Sequence, residues 1–189
     1  MPQRTAGEAA VADVEAMLAA DRWRPVDLSP TDLSVEFPVE PTERERPKPL
    51  EESDSLMCGT RVAGKTHFLH VLVTAGQTPT VLFGGPQVDV RHLHAELAEY
   101  TKTLGGELGE LVVEDDHAWM QAEVRKGGLH SSVRTVVNET SVSTLSLETV
   151  SWIPDDLHSR LCSRYYSTLA WPGKRPASVA RDRTAPTRT

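Results

Sequence analysis

Four β-rich runs separated by short turns constrain the fold of this chain more than any other feature of its sequence. The runs are Leu108–Val113, Ala118–Val124, Leu129–Val137 and Val142–Val150. Their separators, which include Glu114-Asp115-Asp116 and Lys126-Gly127-Gly128, are rich in residues that favour turns. Consecutive strands joined by such short connections pair antiparallel, because parallel pairing needs a long crossover. The sequence therefore predicts an antiparallel meander.

Three stretches with helical periodicity accompany the meander. Residues Glu8–Ala20 are alanine-rich and place their larger apolar residues on one face. From Asp89, a candidate N-cap, apolar residues recur at helical spacing until Gly105-Gly106. Pro154 stands at the favoured first position of a last helix with an apolar face that ends at Leu169. We predict a helix in each of these stretches.

The strands are grouped in runs and do not alternate with helices. An earlier strand, Leu33–Phe37, alternates polar and apolar residues and stops at Pro38. This order predicts an α+β fold in which helices flank an antiparallel sheet. We expect one domain over residues 1–171, with an N-terminal helix and a basic, disordered tail over residues 172–189.

The stretch Leu56–Ala75 has two incompatible interpretations. It contains the phosphate-binding pattern G-x-x-x-x-G-K-[ST], formed by Gly59, Gly64, Lys65 and Thr66. Such a loop needs a buried strand before it and a helix starting at its Gly-Lys-Thr, because the helix amides bind the phosphate. Here acidic residues precede the motif and β-rich residues follow it. We expect a β-hairpin that turns at Ala63-Gly64-Lys65, and a nucleotide-binding enzyme remains the alternative.

Charge is distributed unevenly along the chain. The formal net charge is −7, yet the tail from residue 172 to residue 189 has five basic residues and one acidic residue. The remainder is therefore strongly acidic, which argues against nucleic acid as the main partner. The tail has a second interpretation, as a docking segment for an acidic surface.

The apolar runs are too short for a membrane-spanning helix, and the N-terminal residues lack the apolar core of a secretion signal. We therefore expect a cytoplasmic protein. Cys58 and Cys162 are not in a CxxC pair and fit a reducing compartment without a disulfide.

The seven histidines do not form a local metal-binding pattern. His67 and His70 should point to opposite faces of a strand, and His92 and His94 should diverge on a helix. We expect no metal and no cofactor. The weak candidates for a cation site are Asp115, Asp116 and His117. Residues His130 and Ser132 share a strand face, but no third catalytic partner lies near them in sequence. We expect that strand face at the surface and no catalytic residues.

Four short segments between residues 33 and 169 form a recognisable succession. They are Val-Glu-Phe-Pro at 35–38, the end of the second helix at Leu104-Gly-Gly, His117-Ala-Trp119 and, as a loose match, Tyr166-Ser167 near the end of the last helix. This succession resembles the PsbP-like family, which includes the photosystem subunit PsbP, the Ran-binding Mog proteins and small bacterial proteins. It implies an α/β/α sandwich and a binding or accessory role without shared catalytic residues. The N-terminal helix, the insertion Gln77–Gln87 and the missing secretion signal depart from the family.

The expected function is that of a non-catalytic accessory or adaptor protein that binds another protein. The candidate partner-binding residues are Glu114, Asp115, Asp116 and Trp171. Trp171 is included because aromatic side chains are favoured at interface hot spots. A structural subunit of a homo-oligomer is the second alternative.

Overall fold

The computed structural model describes residues 6–21, 23–27, 34–38, 42–43, 57–63, 70–79, 88–138 and 141–170. In chain order, these residues form α1 (Ala6–Ala19), β1 (Arg24–Asp27), β2 (Ser34–Phe37), β3 (Thr42–Glu43), β4 (Met57–Ala63), β5 (His70–Pro79), α2 (Val90–Thr103), β6 (Glu107–Leu108), β7 (Val112–Val113), β8 (Ala118–Lys126), β9 (Leu129–Val137), β10 (Ser141–Val150) and α3 (Asp155–Tyr166). The described strands pair antiparallel, and the predicted α+β class with an antiparallel sheet is confirmed. None of the described helices has the length and apolar character that crossing a membrane requires.

The larger sheet has the strand order β3-β4-β5-β10-β9-β8-β6, and β7 also pairs with β8. Strands β8, β9 and β10 form the predicted meander, and β9 has the predicted bounds. The expectation of a single strand over Leu108–Val113 is wrong. It is two short strands, β6 and β7, which pair with β8 on either side of Gly109. Residues 109–111 lie opposite only two residues of β8, so the register shifts by one residue between β6 and β7, as in a β-bulge.

The pairing of β4 with β5 agrees with the expected hairpin, but the expectation that Ala63 belongs to the turn is wrong, because Ala63 is the last residue of β4 and pairs with His70. Its register runs from Met57 opposite Gly76 to Ala63 opposite His70. Gly59 lies inside β4, opposite Thr74, and the strand continues through the next four residues of the phosphate-binding pattern. A phosphate loop would have to leave its strand at that glycine, so this extended backbone argues against the nucleotide interpretation. Residues 64–69, which contain Gly64, Lys65 and Thr66, lie outside the described residues.

Strand β2 pairs with β1 in a separate two-stranded sheet. It is also tied to the residues after α3, because Ser34 and Ala170 exchange two backbone hydrogen bonds of 2.8 and 2.9 Å. Its alternation is that of a strand with one buried face, since Val35 and Phe37 are almost inaccessible to solvent. This small sheet therefore closes one end of the core.

Helices cover both faces of the larger sheet. Val136 packs in a cluster with α1, α3 and the two-stranded sheet, whereas its neighbour Val137 packs with Leu93 of α2. Because successive side chains of a strand point to opposite faces, α2 lies on one face and α3 on the other. The α3 side contains the larger cluster, in which Leu161 and Tyr165 are fully buried.

The N-terminus of α2 is capped as the sequence predicts. The Asp89 carboxylate accepts hydrogen bonds from the backbone amides of Arg91 and His92, at 3.0 and 3.3 Å. These amides would otherwise lack a partner within the helix, and a negative charge is favourable at this end of the helix dipole.

Replacing Asp89 with alanine is therefore expected to lower the free energy of unfolding by about 1 kcal/mol. Urea denaturation followed by circular dichroism measures the effect. Glu99→Ala, an exposed position in the same helix, is the matched control and should change stability by less than about 0.5 kcal/mol. Equal losses in the two variants would show that the cap contributes nothing specific.

Candidate functional site

A polar cleft of about 530 Å³ opens between α3 and the end of the sheet that β8 and β9 form. Its lining residues come from three elements. They are Gln121, Glu123 and Arg125 of β8, His130 and Arg134 of β9, and Asp155, His158, Ser159, Cys162, Ser163 and Tyr166 of α3. This concentration of polar and ionisable groups beside a buried core makes the cleft the strongest candidate for a functional site among the described residues.

The strand pattern places these side chains together. Alternate residues of β8 and β9 point to the α3 face, and the register sets Arg125 opposite His130 and Glu123 opposite Ser132. On α3, His158 and Cys162 are four residues apart and so share one face of the helix. The cleft therefore follows from a period of two on the strands and of 3.6 on the helix.

Three side chains converge at the floor of the cleft. One nitrogen of His130, one nitrogen of His158 and one carboxylate oxygen of Glu123 all lie within 4.8 Å of one another. Glu123 Oε2 is 3.2 Å from His130 Nε2 and 3.9 Å from His158 Nε2. Two imidazoles and a carboxylate at these separations form a donor set that transition metals accept.

Both histidines are buried, and their rings stack with centroids 3.7 Å apart and planes inclined by 16°. Burial lowers the pKa of His158 to about 4, and the neighbouring His130 lowers it further than Glu123 raises it. His158 is therefore neutral near pH 7 and has a nitrogen lone pair available.

The other carboxylate oxygen of Glu123, Oε1, accepts two hydrogen bonds. Ser132 Oγ and Gln121 Nε2 donate hydrogen bonds to Glu123 Oε1, at 2.7 and 2.8 Å. These contacts fix the carboxylate so that Oε2 faces the two rings. Gln121 is fixed in turn, because its amide oxygen accepts two hydrogen bonds from the guanidinium of Arg134.

The Arg134 guanidinium lies between two aromatic rings, 4.2 Å from the centroid of Trp119 and 4.4 Å from that of Tyr166. Burial lowers its pKa from the ordinary value, yet a guanidinium still carries its charge at neutral pH. The Tyr166 hydroxyl donates a 2.7 Å hydrogen bond to the backbone oxygen of Ser132. Packing and hydrogen bonds thus hold this side of the cleft in one arrangement.

Cys162 and His158 could be taken for a nucleophile and its base, since Sγ lies 3.3 Å from His158 Nε2. Burial raises the pKa of the Cys162 thiol to about 12, and the charge of Glu123 acts in the same direction. The thiol therefore stays protonated at neutral pH, whereas nucleophilic cysteines need the thiolate. This arrangement does not favour thiolate catalysis.

A second groove, of about 490 Å³, adjoins the cleft, and Gln121 and Glu123 line both. We call it the acidic groove. Its remaining lining residues are Glu107, Leu108, Gly109, Glu110, Val112 and Trp119. Among the residues that line it, none is basic.

The predicted weak cation candidates lie elsewhere. Asp115 and Asp116 are exposed in the turn before β8, and Asp116 Oδ1 is 2.8 Å from His117 Nδ1. They lie at the beginning of β8, whereas the cleft lies towards its end. Glu114 is in the same exposed turn. Trp171 lies outside the described residues.

The two helical histidines point to different partners, as expected. His92 Nε2 is 3.1 Å from the carboxylate of Glu96, and His94 Nε2 donates to the backbone oxygen of Gly109 at 2.9 Å. They therefore do not converge on a common point. The side chains of His67 and His70 lie outside the part of the chain that the structure describes.

The expectation that His130 and Ser132 lie on a surface strand is wrong. Their exposed fractions are 7% and 0%, because α3 packs over this face of β9. Sequence reasoning therefore missed the convergence of Glu123, His130 and His158. A signal was present, since alternate residues of two adjacent strands are polar on a face that the predicted sandwich would cover with a helix.

Comparison with protein-family models finds no match for this chain. Comparison with curated proteins finds none either. The cleft and the acidic groove are therefore the features from which a function is inferred.

Proposed function

We propose that this chain is a non-catalytic accessory protein that binds a basic segment of another protein in its acidic groove. The observation that carries the proposal is the composition of the groove, where the carboxylates of Glu107, Glu110 and Glu123 have no basic counterpart among the lining residues. Glu123 already contacts His130, Ser132 and Gln121, so Glu107 and Glu110 provide most of the charge that would complement an extended peptide rich in lysine and arginine.

The surrounding surface reinforces this charge. Between residues 107 and 124 there are six acidic residues and no lysine or arginine. The predicted partner-binding residues Glu114, Asp115 and Asp116 belong to this segment and are exposed. A field of one sign speeds the encounter with an oppositely charged partner and decreases as salt is added.

Apolar side chains give the groove a means of specificity. Leu108, Val112 and Trp119 line it beside the carboxylates, and the neighbouring Val113 is 68% exposed. Apolar and aromatic anchors inside a charged rim are typical of peptide-binding surfaces. The resemblance to the PsbP-like family, which implies binding without catalysis, supports the same proposal.

Reversing two charges in the acidic groove tests the proposed peptide binding. The variant Glu107→Lys with Glu110→Lys is expected to bind a fluorescently labelled lysine- and arginine-rich peptide at least about tenfold more weakly, because attraction becomes repulsion at two positions. Fluorescence anisotropy titration measures the dissociation constant. Wild-type binding should also weaken as sodium chloride is raised.

The control variant changes the net charge equally but on α2, at Glu96→Lys with Glu99→Lys. It should keep most of the affinity. Equal losses in the two variants would indicate non-specific attraction and contradict the proposal, as would the absence of binding to the wild type. Tighter peptide binding by a chain ending at Trp171 would show that the basic tail competes for the groove.

A further inference from the structure

We propose that Glu123, His130 and His158 form a binding site for a divalent first-row transition ion such as Zn²⁺. The site would lie at the floor of the polar cleft, with Glu123 Oε2 and one nitrogen of each imidazole as ligands. Metal binding at this site does not depend on the proposed peptide binding in the acidic groove, although Glu123 lines both the polar cleft and the groove.

The donor set fits this class of ion. Zinc and its neighbours bind imidazole nitrogen and carboxylate oxygen, whereas magnesium and calcium prefer oxygen ligands alone. The three donor atoms lie within 4.8 Å of one another, which is close to the spacing of ligands bonded to one ion at about 2.1 Å.

His158 is oriented with one nitrogen towards the site. Its Nδ1 is 2.8 Å from the hydroxyl of Thr149, and its Nε2 faces both the Cys162 thiol and Glu123 Oε2. We assign the tautomer in which Nδ1–H donates to Thr149, because Cys162 S–H can then donate to Nε2. An ion that binds Nε2 would replace this weak S–H contact, because the nitrogen has a single lone pair. Glu123 Oε2 lies 3.9 Å from Nε2, so a cation between the two atoms would be attracted to both.

A second observation concerns the His130 nitrogen that would not bind the ion. Its side chain is 9% exposed, and its Nδ1 has no hydrogen-bond partner among the described residues. Asp155 Oδ1 lies 3.9 Å from this nitrogen. If an ion binds Nε2, the ring proton moves to Nδ1 and can be donated to Asp155. A carboxylate behind a metal-bound imidazole is the common supporting contact in metal sites.

Binding would change the two rings in a defined way. A metal ion lies in the plane of each imidazole that binds it, and two parallel rings with centroids 3.7 Å apart cannot both meet that condition. One ring therefore turns about its Cβ–Cγ bond as the ion binds. The fourth ligand would be water from the cleft, since the Glu123 side chain remains 43% exposed.

Isothermal titration calorimetry of the full chain, first treated with a chelator, tests the site with Zn²⁺. Glu123→Gln keeps the size of this half-exposed side chain and one oxygen that can accept from Ser132 and Gln121, and is expected to weaken Zn²⁺ binding by about 100-fold or more. His158→Gln should do the same. The matched control is His92→Gln, which alters another histidine next to a glutamate and should leave binding unchanged.

Two readouts separate this proposal from a merely structural role for the three residues. Zn²⁺ should shift the imidazole C–H resonances of His130 and His158 in proton NMR, whereas Mg²⁺ should not. Equal Zn²⁺ affinity in wild type and Glu123→Gln would overturn the proposal even if His158→Gln failed to fold. Loss of Zn²⁺ binding with retained peptide binding in His158→Gln would confirm that the two functions are separate.

Discussion

Replacing Phe37 with alanine is expected to lower the free energy of unfolding by about 3–5 kcal/mol. Phe37 is fully buried although its strand, β2, belongs to the small two-stranded sheet. Its ring packs edge-to-face on Tyr165 of α3, with centroids 5.9 Å apart. Truncation would remove this contact and leave a cavity between the small sheet and α3.

Urea denaturation followed by circular dichroism measures the loss. The control is Tyr100→Ala, which truncates an aromatic side chain that is 61% exposed and should change stability by less than about 0.5 kcal/mol. A loss in Phe37→Ala no larger than that in Tyr100→Ala would falsify the packing of β2 against α3.

The metal-free protein is expected to lose stability as the pH falls from 6.5 towards 4, in part because of His158. Its pKa in the folded protein, about 4, lies below its ordinary value of 6.5, mainly because it is buried and next to His130. The unfolded chain therefore binds a proton in this range that the folded chain does not. The contribution of His158 to stability is complete above pH 6.5 and is lost on acidification.

The full difference between the two pKa values corresponds to about 3 kcal/mol. Solvent in the open cleft screens the protonated ring, so we expect a loss of about 2 kcal/mol. Urea denaturation at several pH values, with a chelator present, gives the slope. Carboxylates also contribute to the dependence of the free energy of unfolding on pH. A variant is therefore needed to separate the contribution of His158 from theirs.

His158→Gln is that variant. It should be less stable than the wild type near pH 7 but should depend less on pH between 6.5 and 4. His92→Gln replaces a histidine whose side chain is 72% exposed and should keep the wild-type slope. If His158→Gln showed the wild-type slope, another group would be responsible for the acid sensitivity.

Much of the secondary structure could be predicted from local pattern. The cap at Asp89 and the glycines after Leu104 placed α2, which spans Val90–Thr103. Turn residues between long β-rich runs placed β9 at Leu129–Val137. Such signals are local, since capping and strand alternation depend on neighbouring residues.

The pairing of β2 was not predictable in the same way. Its alternation indicated a strand, but its partner is β1, whose sequence Arg24-Pro-Val-Asp27 has no strong strand pattern. The backbone pairing of Ser34 with Ala170 joins residues that are far apart in the sequence. Long-range pairing of this kind is decided by burial against α3 and not by local preference.

The sequence by itself determined the helices, the long strands of the meander and which residues of a strand share a face, but not β1 or the break between β6 and β7. It thereby placed His130 and Ser132 on one face of β9. Only the tertiary structure decided that α3 covers that face of β9, which buries His130 and brings His158 into contact with its ring. The physical reason is that periodicity defines a face, whereas the element that packs on it depends on contacts between residues far apart in the chain.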